Sequence, residues 1–284
     1  MASASRAGSD SQRVRVEVDG GIATLTLTRP DKHNGVDLAM LQAVLRAQEQ
    51  LKKRRDVRAV IVHGEGPSFC AGIDAKSFLG TPWRAAWAVA QLMLPVRNDF
   101  QTWSMGFREL GVPVIAAIHG NCFGAGIQLA LGADIRIATP DSQLSIMEAR
   151  LGLVPDMGGP TLLRELVRID VAKELTMTGR IVRGSEAREL GLVSHVSDDP
   201  LAHAHVLARE VAQRSPDAVS AGKFLLQRAW GAREQLALTY ERRYQRKLIG
   251  RQNQRRALQQ SQTKQRPSSG GASSNGYTPR RIES

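Results

Sequence analysis

Two continuous apolar runs, AVIV (59–62) and PVIAAI (113–118), constrain the fold of this chain more than any other feature. Unbroken apolar runs of this length are typical of strands that are covered on both faces, as in mainly parallel sheets. Each run is followed by His-Gly and then by Phe-x-Ala-Gly-Ile, as FCAGI (69–73) and FGAGI (123–127). The two stretches therefore predict a repeated strand–turn–helix arrangement within an α/β fold.

The two glycine turns have two interpretations. Helix N-termini expose unpaired N–H groups, so two such turns facing each other could hold an anionic oxygen between backbone donors. Alternatively, the small residues only allow a helix to pack closely on the sheet. Two nucleotide-binding patterns are excluded, because Leu129 stands where GxGxxG requires glycine and because no GxxxxGK[ST] run occurs.

The remaining pattern divides the chain into a mixed core and a helical end. VRVEV (14–18) and IATLTLT (22–28) alternate apolar and polar residues across Gly20-Gly21, which predicts a two-stranded hairpin. From residue 160 onward the pattern is mostly helical, and a basic helix is predicted over 233–260. We predict four segments: a disordered N-terminus at 1–12, a core at 13–198, a helical C-terminal region at 199–261 and a disordered basic tail at 262–284.

The positive charge of the chain is concentrated at its C-terminal end. The 284 residues carry a net charge of +12, and residues 241–284 alone hold eleven Lys/Arg and two Glu. This end could bind RNA, a membrane surface or a polyanionic cofactor, although a solvated helix face followed by a loose tail explains the charge equally well. No apolar run approaches the roughly 18 residues of a membrane span, so no membrane partner is expected.

Cysteine content and the N-terminal sequence indicate the cellular compartment. The two cysteines, Cys70 and Cys122, lie near glycines and have neither the number nor the spacing of a disulfide framework or a metal site. MASASRAGSDSQ (1–12) lacks the apolar core of a secretory signal. We therefore expect a cytoplasmic protein without a metal.

Two long stretches of the sequence resemble the enoyl-CoA hydratase/isomerase (crotonase) superfamily. They are FCAGIDAKSF (69–78) and VPVIAAIHGNCFGAGIQLALGADIRIATPDSQLSIMEARLGLVPDMGG (112–159). The resemblance covers roughly residues 13–260 and includes RPDKHNGVD (29–37). It implies a crotonase-like spiral of ββα units with a helical C-terminal trimerisation region, in a homotrimer or a dimer of trimers. It also implies an acyl-CoA thioester substrate, with coenzyme A carried as part of the substrate and with no separate cofactor or metal.

The same resemblance assigns roles to the two glycine turns. It implies that the backbone N–H groups of Ile73 and Ala125 form an oxyanion hole for a thioester enolate. Ala125 stands where family members commonly have glycine, which narrows the space but keeps the donor. Contacts with the substrate or with coenzyme A are implied for five residues: Ala71, Gly72, Asp74, Lys76 and Gly124. Lys76 matches a family lysine near the CoA phosphates, although a solvated surface role would fit it nearly as well.

Gln128 and Glu148 occupy the positions of the two glutamates of family hydratases. This chain therefore keeps one carboxylate and replaces the other with a neutral amide. Gln128 can orient a water or hydrogen-bond a neighbour, but it cannot take a proton near pH 7. We expect Glu148 to be the catalytic proton carrier with a pKa raised by burial, the alternative being a structural ion pair with Arg150.

Asp156 matches an acidic residue of the dienoyl-CoA isomerase branch of the family. A carboxylate pair suits a double-bond shift, because one proton must leave and another must arrive at a different carbon. A helix N-cap is the alternative role, since Asp156 follows a proline and comes shortly before Gly-Gly-Pro-Thr. The match to that branch is incomplete, because dienoyl isomerases keep an Asp where this chain has Gln128.

We predict an enzyme that shifts a carbon–carbon double bond in an enoyl- or dienoyl-CoA ester, with hydration of a 2-enoyl-CoA as the alternative.

Core or turn roles are expected for His63 and His119. The basic helix around three arginines could meet CoA phosphates or a neighbouring subunit: Arg251, Arg255 and Arg256. A rival function is a catalytically silent RNA-binding homologue, which is less favoured because the basic end has few aromatic residues on which bases could stack.

Overall fold

A computed structural model describes residues 13–78, 80–93, 95–263 and 276–282. The predicted disordered N-terminus at 1–12 lies outside the described residues, as do 264–275 and 283–284 of the predicted tail. The strands are β1 (Val14–Asp19), β2 (Ile22–Leu27), β3 (Ala59–Gly64), β4 (Val114–Ile118), β5 (Asn121–Phe123), β6 (Ile135–Ala138), β7 (Gln143–Ser145), β8 (Val182–Arg183) and β9 (His195–Val196). The helices are α1 (Leu38–Lys53), α2 (Ala75–Phe78), α3 (Pro82–Leu92), α4 (Asp99–Met105), α5 (Ala125–Leu131), α6 (Gly159–Leu163), α7 (Ile169–Thr178), α8 (Gly184–Glu189), α9 (Pro200–Ala212), α10 (Pro216–Ala229), α11 (Glu234–Leu248) and α12 (Gln252–Thr263).

The described strands form two sheets. The larger has six strands in the order β1-β2-β3-β4-β6-β9, and the smaller has three in the order β5-β7-β8. β1 and β2 form the predicted antiparallel hairpin, with Val14 opposite Leu27. The other five strands of the large sheet run parallel to one another, so their carboxyl ends meet at one edge: β2, β3, β4, β6 and β9.

Both central strands are covered on two faces, as their apolar runs predict. Val60 and Val62 of β3 belong to the main core, which also includes residues of α1. Ile61 faces the opposite way and packs in a second cluster with Ala204 and Ala208 of α9. The first helix of the predicted C-terminal region therefore covers one face of the sheet, and the buried core extends beyond residue 198.

The predicted basic helix over 233–260 is divided into two helices. α11 ends at Leu248 and α12 begins at Gln252, with Gly250 between them at φ +75. A left-handed residue at this position ends one helix, because continuing the helix requires negative φ. The break turns the second basic segment away from the axis of the first.

Part of the predicted disordered tail is ordered against the protein body. Residues 276–282, which we call the strap, include Arg280 and Ile282 as buried side chains, 4% and 6% exposed. Ile282 packs with Phe224 and Tyr244 in a small apolar cluster. The prediction of disorder is therefore wrong for the strap. No helix within the described ranges is long and apolar enough to cross a membrane.

The C-terminal helices are attached to the amino ends of the parallel strands. Lys223 of α10 donates hydrogen bonds to the carbonyl oxygens of Phe107 and Val112 and to Asp134 Oδ2, at 2.7–3.0 Å. Asp134 directly precedes β6, and Val112 lies just before β4. Burial lowers the pKa of the Lys223 ammonium, while Asp134 opposes this change. The buried ion pair therefore fixes the position of α10 at the edge opposite the glycine turns.

Candidate active site

The two glycine turns lie side by side at the carboxyl edge of the large sheet. The Cys70 N–H donates to the Asn121 carbonyl and the Phe123 N–H donates to the Cys70 carbonyl, both at 3.0 Å. A Cβ on Gly126 would lie 2.2 Å from the Cys70 carbonyl oxygen, so only glycine permits this approach. The close packing predicted as one interpretation of the glycines is therefore present, and it holds the two turns together.

The Ile73 N–H points away from the chain that pairs with its segment. Ile73 forms an isolated parallel bridge with Val36, in which the Val36 N–H donates to Gly72 and the Val36 carbonyl accepts from Asp74. Gly72 and Asp74, the residues on either side of Ile73, therefore form both backbone hydrogen bonds to Val36. In a parallel ladder the N–H of the residue between them points away from the partner strand. Among the described residues it has no acceptor.

The Ala125 N–H is the first donor of α5 and likewise has no acceptor in the described part of the chain. The start of the helix is fixed from the other side, because Trp103 Nε1 donates to the Ala125 carbonyl at 2.9 Å. A Cβ on Gly72, which has φ +95, would lie 3.8 Å from the Ala125 nitrogen. Both free donors therefore belong to neighbouring turns, as an oxyanion hole requires.

Gln128 connects Glu148 to the loop that precedes α6. Its Nε2 donates to Glu148 Oε1 at 2.7 Å, and its Oε1 accepts from the N–H groups of Met157 and Gly159, both at 2.9 Å. The side chain is 1% exposed. Because both lone pairs of its oxygen are used, Gln128 cannot hold a water through that atom.

Glu148 presents one carboxylate oxygen without a partner. Glu148 is the first residue of a short 3-10 turn, Glu148–Leu151, and it is 8% exposed. Its Oε1 accepts from Gln128, whereas its buried Oε2 has no hydrogen-bond partner in the described part of the molecule. Burial raises the pKa of the Glu148 carboxyl, and the charge of Asp156 adds to the rise. No ion pair with Arg150 is formed, which removes the alternative role.

Asp156 lies in the loop between this turn and α6, with its side chain accessible in the single chain. The protein atoms around the Asp156 carboxyl partly desolvate it and thereby raise its pKa. The N-cap of α6 is Gly158, with no side-chain cap, so the alternative of Asp156 as a helix N-cap is wrong. Its charge also contributes to the raised pKa of the Glu148 carboxyl, so the two groups are electrostatically coupled.

Asp74 and Lys76 differ in how firmly they are held. Asp74 accepts from the Ser77 hydroxyl at 2.7 Å and forms an ion pair with Arg29 at 2.9 Å, and these contacts lower its carboxyl pKa. Lys76 is exposed on α2. Asp74 therefore stabilises the turn after Ile73, whereas Lys76 is free to move.

The sequence analysis missed the residues that support the first turn. Arg29 is buried and donates to the Gly35 carbonyl at 2.8 Å. Asn34, with φ 54, is fully buried and donates to the Ser68 carbonyl at 2.7 Å. The signal available in the sequence is a polar run, RPDKHNGVD, directly after an apolar strand.

Both histidines have the expected turn and core roles. His63 shares a hydrogen bond of 2.9 Å with the Thr26 hydroxyl, and His119 Nε2 lies 2.8 Å from the Gly66 carbonyl. Among the described residues, no three His, Cys, Asp or Glu side chains are grouped so that they could hold a metal ion.

Comparisons with known proteins agree with this geometry. The family described as enoyl-CoA hydratase/isomerase matches residues 17–269. The mouse mitochondrial methylglutaconyl-CoA hydratase is 32% identical over 226 residues, 76% of this chain and 70% of its own. The rat mitochondrial Delta(3,5)-Delta(2,4)-dienoyl-CoA isomerase is 34% identical over 212 residues, 70% of this chain and 64% of its own.

A solved structure shows the same fold. The enoyl-CoA hydratase of Bacillus anthracis superimposes with a TM-score of 0.82 at 29% identity, covering 89% of this chain and 97% of that one. The predicted fold class, a crotonase-like α/β core with a helical C-terminal region, is thereby confirmed. The chain belongs to the enoyl-CoA hydratase/isomerase (crotonase) family.

Proposed function

We propose that this crotonase-family enzyme shifts a carbon–carbon double bond in an enoyl-CoA ester, with Glu148 as the proton carrier. The observation that supports this reaction is the state of Gln128, whose oxygen is fully occupied by two backbone donors. The amide holds Glu148 by one oxygen and leaves the other free. One oriented base without a second carboxylate for water suits proton transfer better than water addition.

The reaction needs only groups of this chain and the substrate. Glu148 Oε2 takes a proton from C2 of a 3-enoyl ester, and the electron pair moves onto the thioester oxygen. The N–H groups of Ile73 and Ala125 stabilise that oxyanion, because they are fixed before the charge develops. The enolate then collapses as the proton is returned to C4, which leaves the double bond between C2 and C3.

Asp156 is the second acid–base group of the proposal. We assign to the Asp156 carboxyl, whose pKa is raised by burial, the delivery of a proton at the carbon from which Glu148 does not take one. This role would extend the reaction to dienoyl esters, whose double bonds move over a longer distance. We propose Ala71, Gly72 and Gly124 as the backbone surface against the thioester, and Lys76 as a charge near the CoA phosphates.

Water addition to a 2-enoyl ester is the second candidate. It is favoured by the names of relatives, which include a methylglutaconyl-CoA hydratase and the Bacillus anthracis enoyl-CoA hydratase. In this chain a hydratase would have to activate water with Glu148 alone, since the Gln128 oxygen is occupied.

Product analysis distinguishes the two reactions. The enzyme would be incubated separately with 3-enoyl-CoA and 2-enoyl-CoA esters, and products identified by mass spectrometry and NMR. Conversion of the 3-enoyl ester without change of mass is the expected result. Gain of one water by the 2-enoyl ester, with no isomerisation, would replace the isomerase proposal by the hydratase. Inactivity of Glu148→Gln in the same assay would assign the chemistry to this carboxylate.

We further propose a cytoplasmic homotrimer or a dimer of trimers. Cys70 and Cys122 are both unpaired, which fits a reducing compartment. Imaging of the tagged full-length chain would test the location, because the mouse and rat relatives are named as mitochondrial proteins. We do not propose a nucleic-acid partner. Measuring both RNA affinity and turnover of CoA esters tests this, because a catalytically silent RNA-binding protein would bind RNA without turnover.

A further inference from the structure

A cavity of about 260 Å³ lies between the end of α11, the start of α12 and the strap. Three cationic side chains line it, and we call it the cation cavity: Lys247, Arg251 and Arg281. Its volume is slightly below the roughly 300–1,000 Å³ of typical ligand sites. It therefore suits a small charged group rather than a whole cofactor.

The cations of this cavity are not neutralised by neighbouring acids. The Lys247 ammonium lies over the Tyr244 ring, 5.2 Å from its centroid. The guanidinium groups of Arg251 and Arg281 form no ion pair within the residues that the structure describes. Unpaired arginine side chains around a concave surface are the usual arrangement for binding an anion.

Asp217, the one acidic residue in the lining, is already engaged by other groups. Its Oδ2 accepts from Asn253 Nδ2 at 2.8 Å, and its Oδ1 accepts from the Arg281 backbone N–H at 2.6 Å. Three cations and one carboxylate leave the lining with a formal charge of +2. A ligand with two negative charges would balance this charge.

The uncharged wall of the cavity is fixed by its own hydrogen bonds. Asn253 is 1% exposed, and its Oδ1 accepts from both the N–H and the hydroxyl of Thr278, each at 3.0 Å. The charged donors that face the cavity are the ammonium and guanidinium groups, and Gln252 adds a neutral amide to the lining. A group that only accepts hydrogen bonds matches them.

The cation cavity lies away from the candidate active site of the same chain. Arg280, next to Arg281, donates to the carbonyl oxygens of Arg54 and Val57, which precede β3. The glycine turns follow the other end of this six-residue strand, about 20 Å away. The strap also lies beyond residue 269, where the family match ends.

We propose that the cation cavity is a second anion site, which binds a phosphate group, either as inorganic phosphate or on a small phosphorylated molecule. A phosphate dianion carries the charge that the lining lacks, and its oxygens accept paired hydrogen bonds from arginine. This site is independent of the double-bond shift proposed above.

Calorimetric titration of the full-length enzyme with inorganic phosphate in phosphate-free, low-salt buffer tests the site. We expect saturable binding of one phosphate per chain. Arg281→Gln and Arg251→Gln should each weaken it about tenfold, because each removes a charge-assisted hydrogen-bond donor. Arg255→Gln is the matched control, since Arg255 is exposed on α12 outside the cavity, and it should change the affinity less than twofold.

A second titration with adenosine 3′,5′-bisphosphate, the phosphate-bearing end of CoA, distinguishes the sources of phosphate. Binding of this compound alone, or its displacement by an acyl-CoA, would overturn the proposal, because the cavity would then belong to the CoA site. A raised KM for the CoA ester in Arg281→Gln would do the same. Unchanged kcat and KM, with weakened phosphate binding, would support a separate site.

Two further results would also overturn the proposal. Equal loss of affinity in the two cavity variants and in Arg255→Gln would indicate only a diffuse positive field. Absence of binding to the wild type would exclude the site directly.

Discussion

Gln128 determines which atoms of the candidate active site can exchange protons. It holds Glu148 by Oε1 and is itself held by two backbone N–H groups. Its amide cannot rotate without losing all three hydrogen bonds, so the orientation of Glu148 is fixed as well. Gln128, which stands where family hydratases have a second glutamate, therefore also positions the remaining carboxylate, Glu148.

Replacing this amide with an acid should change the pH dependence of the enzyme. Gln128→Glu would place two carboxylates about one hydrogen bond apart, so the pair would keep a proton to higher pH. The reaction needs ionised Glu148, so the acid limb of kcat/KM should move upward by about one pH unit or more. A pH–rate profile with a 3-enoyl-CoA measures this shift.

Gln128→Met is the control for that experiment. It removes the hydrogen bond that lowers the Glu148 pKa but adds no charge, so kcat should fall and the acid limb should rise less than in Gln128→Glu. An unchanged acid limb in Gln128→Glu would contradict the assignment of the limb to Glu148.

Glu148→Gln should abolish turnover and yet stabilise the folded protein above the ordinary glutamate pKa. General acid–base groups contribute about 10²–10⁴-fold to rates, so at least this loss is expected. Burial holds the pKa of Glu148 above its usual 4.5, so the unfolded chain releases this proton first as pH rises. The free energy of unfolding of the wild type therefore falls as pH rises from 4.5 to the raised pKa. Glu148→Gln, which stays neutral, does not lose this free energy.

Thermal unfolding at several pH values measures this second effect. We expect the Tm of Glu148→Gln to exceed that of the wild type by about 2–4 °C near neutral pH, a shift that corresponds to about 1 kcal/mol. The difference in Tm should vanish at pH values below 4.5, where Glu148 is protonated in both the folded and the unfolded protein. Glu174→Gln, on the surface, should show neither effect, and a gain that persists at low pH would contradict the linkage.

At the scale of elements, the contact between the two glycine turns sets the oxyanion geometry. Gly72 has φ +95, and an added Cβ would lie 3.0 Å from the Phe123 carbonyl oxygen. Gly72→Ala should push the start of α5 away from Ile73 and separate the two donors. Loss of one such donor typically costs about 10²–10³ in kcat, so we expect a fall of at least about 100-fold.

Gly20→Ala is the matched control for backbone strain. Gly20 also has positive φ, at +54, but no atom lies within 4 Å of an added Cβ. Both variants should lose about 1–2 kcal/mol of unfolding free energy, and only Gly72→Ala should lose activity. Steady-state kinetics beside urea unfolding would separate the two effects, and equal kcat values would contradict the proposed geometry.

The strap stabilises the end of α1. Arg280 donates to the carbonyl oxygens of Lys52, Arg54 and Val57 at 2.8–3.4 Å. Arg280→Ala leaves these acceptors without the guanidinium, so urea unfolding should show a loss of about 2–3 kcal/mol. Arg243→Ala, at an exposed position of α11, should change the stability by less than about 0.5 kcal/mol. Similar losses in both variants would contradict a specific role for the strap.

The elements differed in how well the sequence predicted them. The hairpin and the two buried strands follow from local apolar periodicity, so their positions were predictable. The strap was not, because Ser, Gly and Pro around it suggest disorder, and its order depends on long-range contacts such as Ser220 with Ile282. The partners of Gln128 were equally hidden, since Met157 and Gly159 contribute backbone N–H groups that any residue except proline provides.

At the scale of the whole molecule, the large sheet separates the candidate active site from the proposed anion site. The two oxyanion donors and Gln128 follow the carboxyl ends of β3 and β4, and Gln128 is hydrogen-bonded to Glu148, whereas α10 and the strap attach at the amino ends. Changes in the strap or the cation cavity can therefore alter stability and anion binding without touching the groups that transfer protons. The Gly72 and Glu148 variants should conversely leave phosphate binding intact.

The single chain exposes apolar side chains directly beside Glu148. Leu151, Leu153 and Val154 are 71%, 62% and 71% exposed, and Met177 on the adjoining α7 is 71% exposed. A continuous apolar surface of this kind usually marks a contact with another protein. Covering it with a second copy of the chain would also exclude water from the buried carboxyl.

Met177→Asp should therefore dissociate the proposed trimer and reduce turnover, because a charge in the contact is costly to bury. Light scattering should give three or six times the chain mass for the wild type and the mass of one chain for the variant, with kcat lowered in parallel. Val206→Asp, an exposed position on α9, should leave both unchanged. A wild type that is active as a monomer would show that the apolar surface serves neither assembly nor catalysis.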